Sequence, residues 1–193
     1  MSQPTIRVAR PEDGEHVAAI YRPYVVSTPI TFETEPPSGA AMSERIESIL
    51  PRWPWLVWEE RGRVLGYAYA SEYRARIAYR WSVDVAVYVD STAHRRGIGR
   101  RLYQALFPLL TLQRLENAYA GITLPNAGSV GLHEAMGFRT VGVYSNVGWK
   151  LGAWHDVGWW GLALGRYPTP PPEPIPFGEL RESPEVAAIL SRV

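Results

Sequence analysis

The spacing of apolar positions changes several times along the chain, and each change marks an element. Thr5–Ala9 (TIRVA) alternates as a short strand. Arg10-Pro11-Glu12-Asp13 then reads as a helix start, with proline and acids in the first turn, and Val17, Ile20, Tyr21, Tyr24 and Val25 follow at helical spacing. Pro29–Pro37 (PITFETEPP) holds too much proline for a helix and is expected to be an ordered loop. Met42–Leu50 is a second helix, with Met42, Ile46, Ile49 and Leu50 on one side. Trp55–Glu59 and Val64–Ser71 read as strands on either side of a turn at Arg61-Gly62. Tyr79–Val89 (YRWSVDVAVYV) is the longest apolar run and predicts a central strand. Gly97–Thr111 puts Ile98, Leu102, Ala105, Leu106, Leu109 and Leu110 in helical register. Pro108 is expected to bend that helix or end it early, because it cannot donate to the Gln104 carbonyl. Ala118–Thr123 is a further strand, Asn126–Met136 a helix stopped by Gly137, and Phe138–Val143 and Ala153–Leu164 the last strands.

Strands and helices in this order, without internal repeats, predict a mixed α/β single domain over residues 1–167. Residues 168–193 are set apart, because Pro168–Pro176 (PTPPPEPIP) can form neither a helix nor a central strand. They read as a stiff linker or arm, with one or two helical turns at Ser183–Leu190. A chain of 193 residues suffices for one full core.

Charge and composition narrow the function. Twenty Lys and Arg against nineteen Asp and Glu give a net charge of +1, so no bulk field favours nucleic acid or an anionic membrane. Any anion must be held by a local site. The chain has no cysteine, which excludes disulfides, thiolate metal sites and a cysteine acyl-enzyme. None of the four histidines has metal-ligand spacing with another histidine or a nearby acid, so no metal is expected. The first residues lack the apolar stretch of a signal peptide and no run approaches membrane-span length, which fits a cytoplasmic protein. Eight tryptophans and eleven tyrosines are many for this length, and line either a core, a pocket or a subunit interface.

One local anion site stands out. His94-Arg95-Arg96-Gly97-Ile98-Gly99-Arg100 follows directly on the long strand and opens a helix. Its glycines let the backbone approach a ligand, and the N–H groups of a helix N-terminus favour anions. Arg95, Arg96 and Arg100 add positive charge, as suits a diphosphate. No Gly-Lys-Ser/Thr follows and GxGxxG is absent, so neither a P-loop nor a dinucleotide fingerprint fits. The bland alternative is an arginine-rich, solvated helix start.

At this loop the sequence resembles the GNAT N-acetyltransferases, whose Gln/Arg-x-x-Gly-x-Gly/Ala binds the diphosphate of acetyl-CoA. Here His94 takes the first position, a departure that affects a side-chain contact and leaves the backbone cradle intact. The resemblance continues at Asn126, Ser129, Leu132, His133, Gly137 and Phe138, which match Asn-x-x-Ser/Ala-x-x-Leu-Tyr-x-x-x-Gly-Phe with His for Tyr. Within the family it is similar to the phosphinothricin and methionine sulfoximine N-acetyltransferases. Phe32-Glu33-Thr34-Glu35-Pro36, Tyr79-Arg80, His133 and Lys150-Leu-Gly152-Ala-Trp154-His-Asp156-Val157 carry that likeness. It spans about residues 5–165, and the proline-rich tail lies outside it.

The resemblance implies a mostly antiparallel, twisted central sheet flanked by helices, with central strands splayed at Val87, Tyr88 and Val89 so that freed main-chain groups hold acetyl-CoA. Acetyl transfer to an amine needs a group to take the amine's proton, polarisation of the thioester carbonyl, and stabilisation of the departing thiolate. Asp84 is the candidate base: a lone acid in an apolar strand, opposite Val83, Val85, Val87 and Val89 by alternation, is costly unless it faces a cleft or has a partner. Relatives carry Glu there, and the shorter Asp favours a bridging water. The alternative is an acid bonded to a neighbouring loop. The resemblance turns His133 toward the cofactor sulfur as a general acid; a packed histidine is the other reading. It places Asn126 and Ser129 on the pantetheine, with Asn126 also able to cap its own helix. Arg74 and Arg80 are candidate partners of a substrate carboxylate or phosphinate, or simply surface arginines. Phe32, Glu33 and Tyr79 are expected on the same wall. Lys150 either aids an anionic substrate or is exposed, and Trp154 and Asp156 read as packing and strand support. The expected reaction is direct acetylation of a small amino-acid-like amine by a homodimer. A polyamine, an aminoglycoside or a protein N-terminus as acceptor, and a non-catalytic acyl-CoA sensor, remain as alternatives. The basic wall formed by Arg74, Arg80 and Lys150 favours an anionic acceptor.

Overall fold

The computed structural model describes residues 4–192. Along the chain run β1 (Thr5–Val8), α1 (Gly14–Ser27), α2 (Gly39–Ile49), β2 (Trp55–Glu60), β3 (Arg63–Glu72), β4 (Ser82–Val89), α3 (Ile98–Leu112), β5 (Asn117–Leu124), α4 (Ala127–Ala135), β6 (Arg139–Lys150), β7 (Ala153–Ala163), α5 (Phe177–Leu180) and α6 (Pro184–Ser191). The strands form one seven-stranded sheet in the order β1-β2-β3-β4-β5-β7-β6. Every neighbouring pair is antiparallel except β4 and β5, which need a crossover and obtain it through α3.

That parallel pair is short. Its register runs Ser82↔Asn117, Val83↔Ala118 and Asp84↔Tyr119, and then stops. β4 continues to Val89 held by β3 alone, and β5 continues to Leu124 held by β7 alone. The sheet is therefore two half-sheets joined at one end and parted at the other, the splay that the resemblance implies. Asp84 sits on the last shared rung.

Residues paired across a ladder share a face, which sorts the layers. Tyr67 and Tyr88 face each other across β3 and β4, and Tyr21 and Tyr24 of α1 meet Tyr88 edge-on at 4.9 and 5.2 Å. α1 therefore covers that face. On the other face Gly66 lies against Ile98, and Gly99 against Val87 and Val89, which seats α3. Ile98, Leu102, Leu106, Leu109 and Leu110 are buried there.

Four elements differ from the sequence reading, each for a local reason. α2 starts three residues before its first apolar position because Ser38 caps it, accepting from the Ala41 N–H at 3.1 Å. α3 runs through Pro108 to Leu112. Pro108 and Gln104 lie on its exposed side, so the carbonyl left without a donor faces solvent while the buried leucines hold the last turn. β4 begins at Ser82 because Ile77–Tyr79 form a 3-10 turn and Trp81 gives its indole N–H to the Pro172 carbonyl at 2.7 Å. β6 extends to Lys150 across an irregularity at Tyr144–Gly148, where the Asn146 N–H donates to the Asp156 carboxylate at 2.7 Å.

The proline-rich tail lies along the body. Gln113 holds it, with its carbonyl accepting from the Ile175 N–H at 2.9 Å and its amide donating to the Arg52 and Ile175 carbonyls at 2.8 and 2.9 Å. Phe177 and Val186 are buried beyond that point.

Candidate active site

Where β4 and β5 part, one edge of β4 is left without a strand. Its orientation follows from two bonds: the Asp90 N–H donates to Leu65 of β3, and the Trp81 carbonyl accepts from Glu116 and Asn117 on the β5 side. Main-chain groups alternate along a strand, so the odd residues of β4 point to β5 and the even ones to β3. Val87 and Val89 thus present their N–H groups to the cleft. Tyr88 does not: its main chain serves β3, and its ring packs on Tyr21, Tyr24 and Tyr67. Of the three residues expected to supply donors, two have the right orientation.

A cavity of about 510 Å³ runs from this edge to the start of α3. Gly97 has a left-handed φ of 79°, and nothing lies within 4 Å of where a Cβ would stand. The main chain there is open to a ligand, at a helix N-terminus. Arg95, Gly99, Arg100, Asn126 and Ser129 also line the cavity, and Ile98 contributes while being buried beneath it. Arg96 departs from expectation: it is paired with Glu60 and stands outside the cavity wall. His94 reaches the wall, but its Nε2 bonds inward, 2.9 Å from the Tyr24 hydroxyl and 3.1 Å from the Val89 carbonyl. Tyr24 donates to the same carbonyl at 2.6 Å. Nε2 therefore carries the ring's proton, and His94 ties the loop to α1 and β4. Tyr24, which lines the cavity, had no signal in the sequence beyond its place on the apolar face of α1.

At the joined end, Asp84 is half-buried and its Oδ1 is fully enclosed without a hydrogen-bond partner. Burial pushes its pKa up to about 7, opposed by the charge of Arg74. Tyr119, its ladder partner, shares its face and stacks on Tyr73 at 4.6 Å. The Arg74 guanidinium lies 4.4 Å over Tyr73 and 5.5 Å from the Trp159 ring, and Tyr79 meets Tyr73 edge-on at 5.8 Å. Asp84 thus faces an aromatic wall topped by one cation. Arg80 does not join it. Its side chain pairs with Glu173 of the tail and stacks 4.0 Å over Trp81.

The loop before α2 forms another part of this side. Phe32 packs against Gly148 so closely that a Cβ there would overlap its ring. Glu33 takes both arms of Arg45 at 2.7 and 2.9 Å, which holds its carboxyl below the usual range. Tyr21 donates to the same carboxylate at 3.1 Å. Lys150 is buried, neither exposed nor free: it donates to the Thr31 carbonyl at 2.7 Å beside Glu33, and burial lowers its pKa. These side chains fix the loop to β6.

His133 lies on the opposite face, only 3 % exposed. Its Nδ1 is 2.7 Å from the Ser129 carbonyl, which only accepts, so Nδ1 carries the proton. Nε2 then accepts from the Tyr103 hydroxyl at 3.0 Å. Burial lowers the imidazole pKa and raises that of the phenol, so both are neutral near pH 7. Both border a small space of about 60 Å³ between the parted strands, along with Asn126 and Ser129. The expected lone histidine is thus half of a pair. Tyr103 was hidden by its own burial among the leucines of α3, where an aromatic reads as core. Asn126 caps its helix, accepting from the Ser129 N–H at 3.1 Å. Among the described residues no cluster of three His, Asp or Glu is placed to hold a metal.

Comparison with known proteins identifies the family and the fold. The acetyltransferase (GNAT) domain matches residues 6–159. The chain is 39% identical to a phosphinothricin N-acetyltransferase of Streptomyces viridochromogenes, covering 86% of this chain and 90% of that one. It is 32% identical to an L-methionine sulfoximine/L-methionine sulfone acetyltransferase of Salmonella typhimurium, covering 86% and 98%. The crystal structure of a GNAT superfamily phosphinothricin acetyltransferase from Sinorhizobium meliloti in complex with AcCoA superimposes with a TM-score of 0.82, at 35% identity, covering 90% and 94%.

Proposed function

This chain belongs to the GNAT acetyltransferase family, and on that premise we propose that it acetylates the amino group of a small, acidic amino-acid-like molecule, with Asp84 taking the proton from the amine. The observation that carries the reading is the enclosed, unpartnered Asp84 Oδ1, at the last rung before the strands part. A carboxyl held near pH 7 is half ionised at neutrality and can accept a proton from an ammonium. The relatives' acceptors, phosphinothricin and methionine sulfoximine, are amino acids with tetrahedral polar heads, which suits a wall of Arg74 and aromatic rings.

The residues present fit acetyl-CoA. The open backbone at Gly97 with Arg95 and Arg100 suits its diphosphate, and the free N–H groups of Val87 and Val89 suit its amide-bearing arm. Acetyl-CoA supplies the acetyl group as a thioester. The chain's own work is to hold that arm on the β4 edge, to exclude water with the aromatic rings, to take a proton from the amine and to stabilise the departing thiolate. Asp84 accepts the amine's proton, directly or through one water. The Tyr103 hydroxyl, turned from His133 Nε2, gives its hydrogen bond to the departing sulfur, which leaves as the thiolate of CoA. An acceptor of several positive charges is disfavoured by Arg74.

We also propose a homodimer. Val141, Val143, Tyr144, Val147, Trp149 and Trp154 of the edge hairpin β6–β7 are exposed, an apolar surface that a second copy would cover. Light scattering on a sizing column tests this, and a monomer at micromolar concentration refutes it. The function itself is tested by free CoA release from acetyl-CoA with phosphinothricin, methionine sulfoximine, the common L-amino acids, spermidine and kanamycin. Release confined to the first two or to acidic amino acids supports the reading. Release with spermidine or kanamycin overturns it.

A further inference from the structure

The family domain spans residues 6–159 and β7 ends at Ala163, so the proline-rich tail adds nothing to the sheet. It is nevertheless bound to the body along its path. The Leu164 and Tyr167 N–H groups donate to the Glu116 carbonyl and carboxylate at 2.8 and 3.0 Å. Further on, the Pro172 carbonyl and Glu173 meet Trp81 and Arg80. Ile175 then bonds Gln113, and the Phe177 and Gly178 N–H groups donate to the Arg52 and Pro51 carbonyls at 3.2 and 3.0 Å. Six of the nine residues from Pro168 to Pro176 are proline, so the span between these anchors is stiff and keeps its length.

The connection from β3 to β4 has the opposite character. Residues 74–79 are all exposed. Its own bonds are short in range: Arg74 donates to the Tyr73 carbonyl, and the Tyr79 and Arg80 N–H groups to the Arg76 and Ile77 carbonyls. Among the described residues, the side-chain hydrogen bonds that leave residues 73–81 all go to the tail. They are the Trp81 indole to the Pro172 carbonyl at 2.7 Å, and the Arg80 guanidinium to Glu173. A segment with so few ties opens at low cost unless something outside holds it. Yet this one carries Arg74, whose charge reaches Asp84, and Tyr79, which packs on Tyr73. The stack of Tyr73 on Tyr119 fixes its near end, and the tail fixes its far end.

We propose that the tail is a brace for the acceptor side, with Pro172 and Glu173 as positioning residues that act through Trp81 and Arg80 on the connection carrying Arg74. The proposal rests on the reading of Arg74 as part of the acceptor wall. Among the described residues, none of the tail lines the cofactor cavity, so the brace acts on one side of the cleft only.

The test uses two conservative variants of the full chain, Trp81→Phe and Glu173→Gln, alone and together. Hydrogen exchange of the unliganded protein should show the Tyr79 and Arg80 amides exchanging about tenfold faster in the double variant, with those of Gly97–Arg100 unchanged. With phosphinothricin as acceptor, each single variant should raise the acceptor KM about threefold and the double variant about five- to tenfold. The kcat and the affinity for CoA should stay within about twofold. The sign is diagnostic: removing the Glu173 charge near an anionic acceptor would by itself lower KM, whereas loss of the brace raises it. Added to Arg74→Gln, the double variant should raise KM no further, because both act through the same side chain. Unchanged exchange, a KM unchanged or lowered, or a rise that adds in full to that of Arg74→Gln would overturn the proposal. An Arg74→Gln without effect on KM sinks the wall reading and the proposal with it. An effective Arg74→Gln beside ineffective tail variants sinks the proposal alone.

Discussion

The two sides of the cleft are built from different material. The cofactor side is mostly main chain: an open left-handed glycine, a helix start and the unpaired edge of β4, all within residues 87–100. The acceptor side is made of side chains from separate strands, with Asp84 on β4, Tyr119 on β5, Trp159 on β7, and Tyr73 and Arg74 after β3. A main-chain site survives exchange of its side chains, which is why His94 can replace the family's Gln or Arg and be used instead to tie the loop to Tyr24 and Val89. A side-chain site has no such tolerance. Changes on the acceptor side should alter chemistry and specificity, and changes on the cofactor side should alter affinity only where they touch the backbone.

The largest effect that distinguishes them is at Asp84. Asp84→Asn should lower kcat by about 10²–10⁴-fold, the usual worth of a general base, and leave acetyl-CoA affinity unchanged. The same substitution should stabilise the protein at pH 8. A carboxyl with a folded pKa near 7 and an ordinary unfolded value binds more protons folded than unfolded, so its cost to stability grows as pH rises from about 3.8 to about 7 and is constant above. Asn removes that cost, at most about 4 kcal/mol at pH 8 and nothing at pH 3.5, as urea midpoints would read. Lost activity with unchanged stability would mean that the carboxylate has a partner in solution.

Next comes Gly97→Ala on the other side. A side chain at φ 79° is strained and intrudes on open main chain, so acetyl-CoA should bind about tenfold more weakly by calorimetry. The acceptor KM should stay within about twofold. Arg74→Gln should raise the acceptor KM by about five- to tenfold. Because the Arg74 charge holds the Asp84 pKa down, its loss should also move the pH midpoint of the rate upward. The smallest effect is at Arg96, which looks like a phosphate ligand in the sequence but pairs with Glu60. Arg96→Gln should change acetyl-CoA affinity by less than about twofold.

The same contrast explains what could be read in advance. The strand and helix order and the Gly97 loop follow from local sequence, because each depends on neighbours within one or two turns, whereas the splay depends on where β5 leaves β4 and is implied only by the family resemblance. The start of α2 was missed because a serine cap precedes the first apolar residue, and the persistence of α3 past Pro108 because only the fold shows which face is wet. The longest errors in reach concern side chains. Arg80 and Glu173 are 93 residues apart, and Tyr103 and His133 are 30 apart. No periodicity joins such pairs. Asp84 was legible for the opposite reason, since a lone acid inside an apolar strand is conspicuous without knowledge of what surrounds it.

The account's central claim is that Asp84 takes the proton, and the pH dependence of kcat/KM tests it most directly. For the natural chain the account predicts a rise of unit slope with its midpoint near 7, and in Asp84→Asn a much lower rate without that step. A step that survives unchanged in Asp84→Asn would place the base elsewhere and contradict the account.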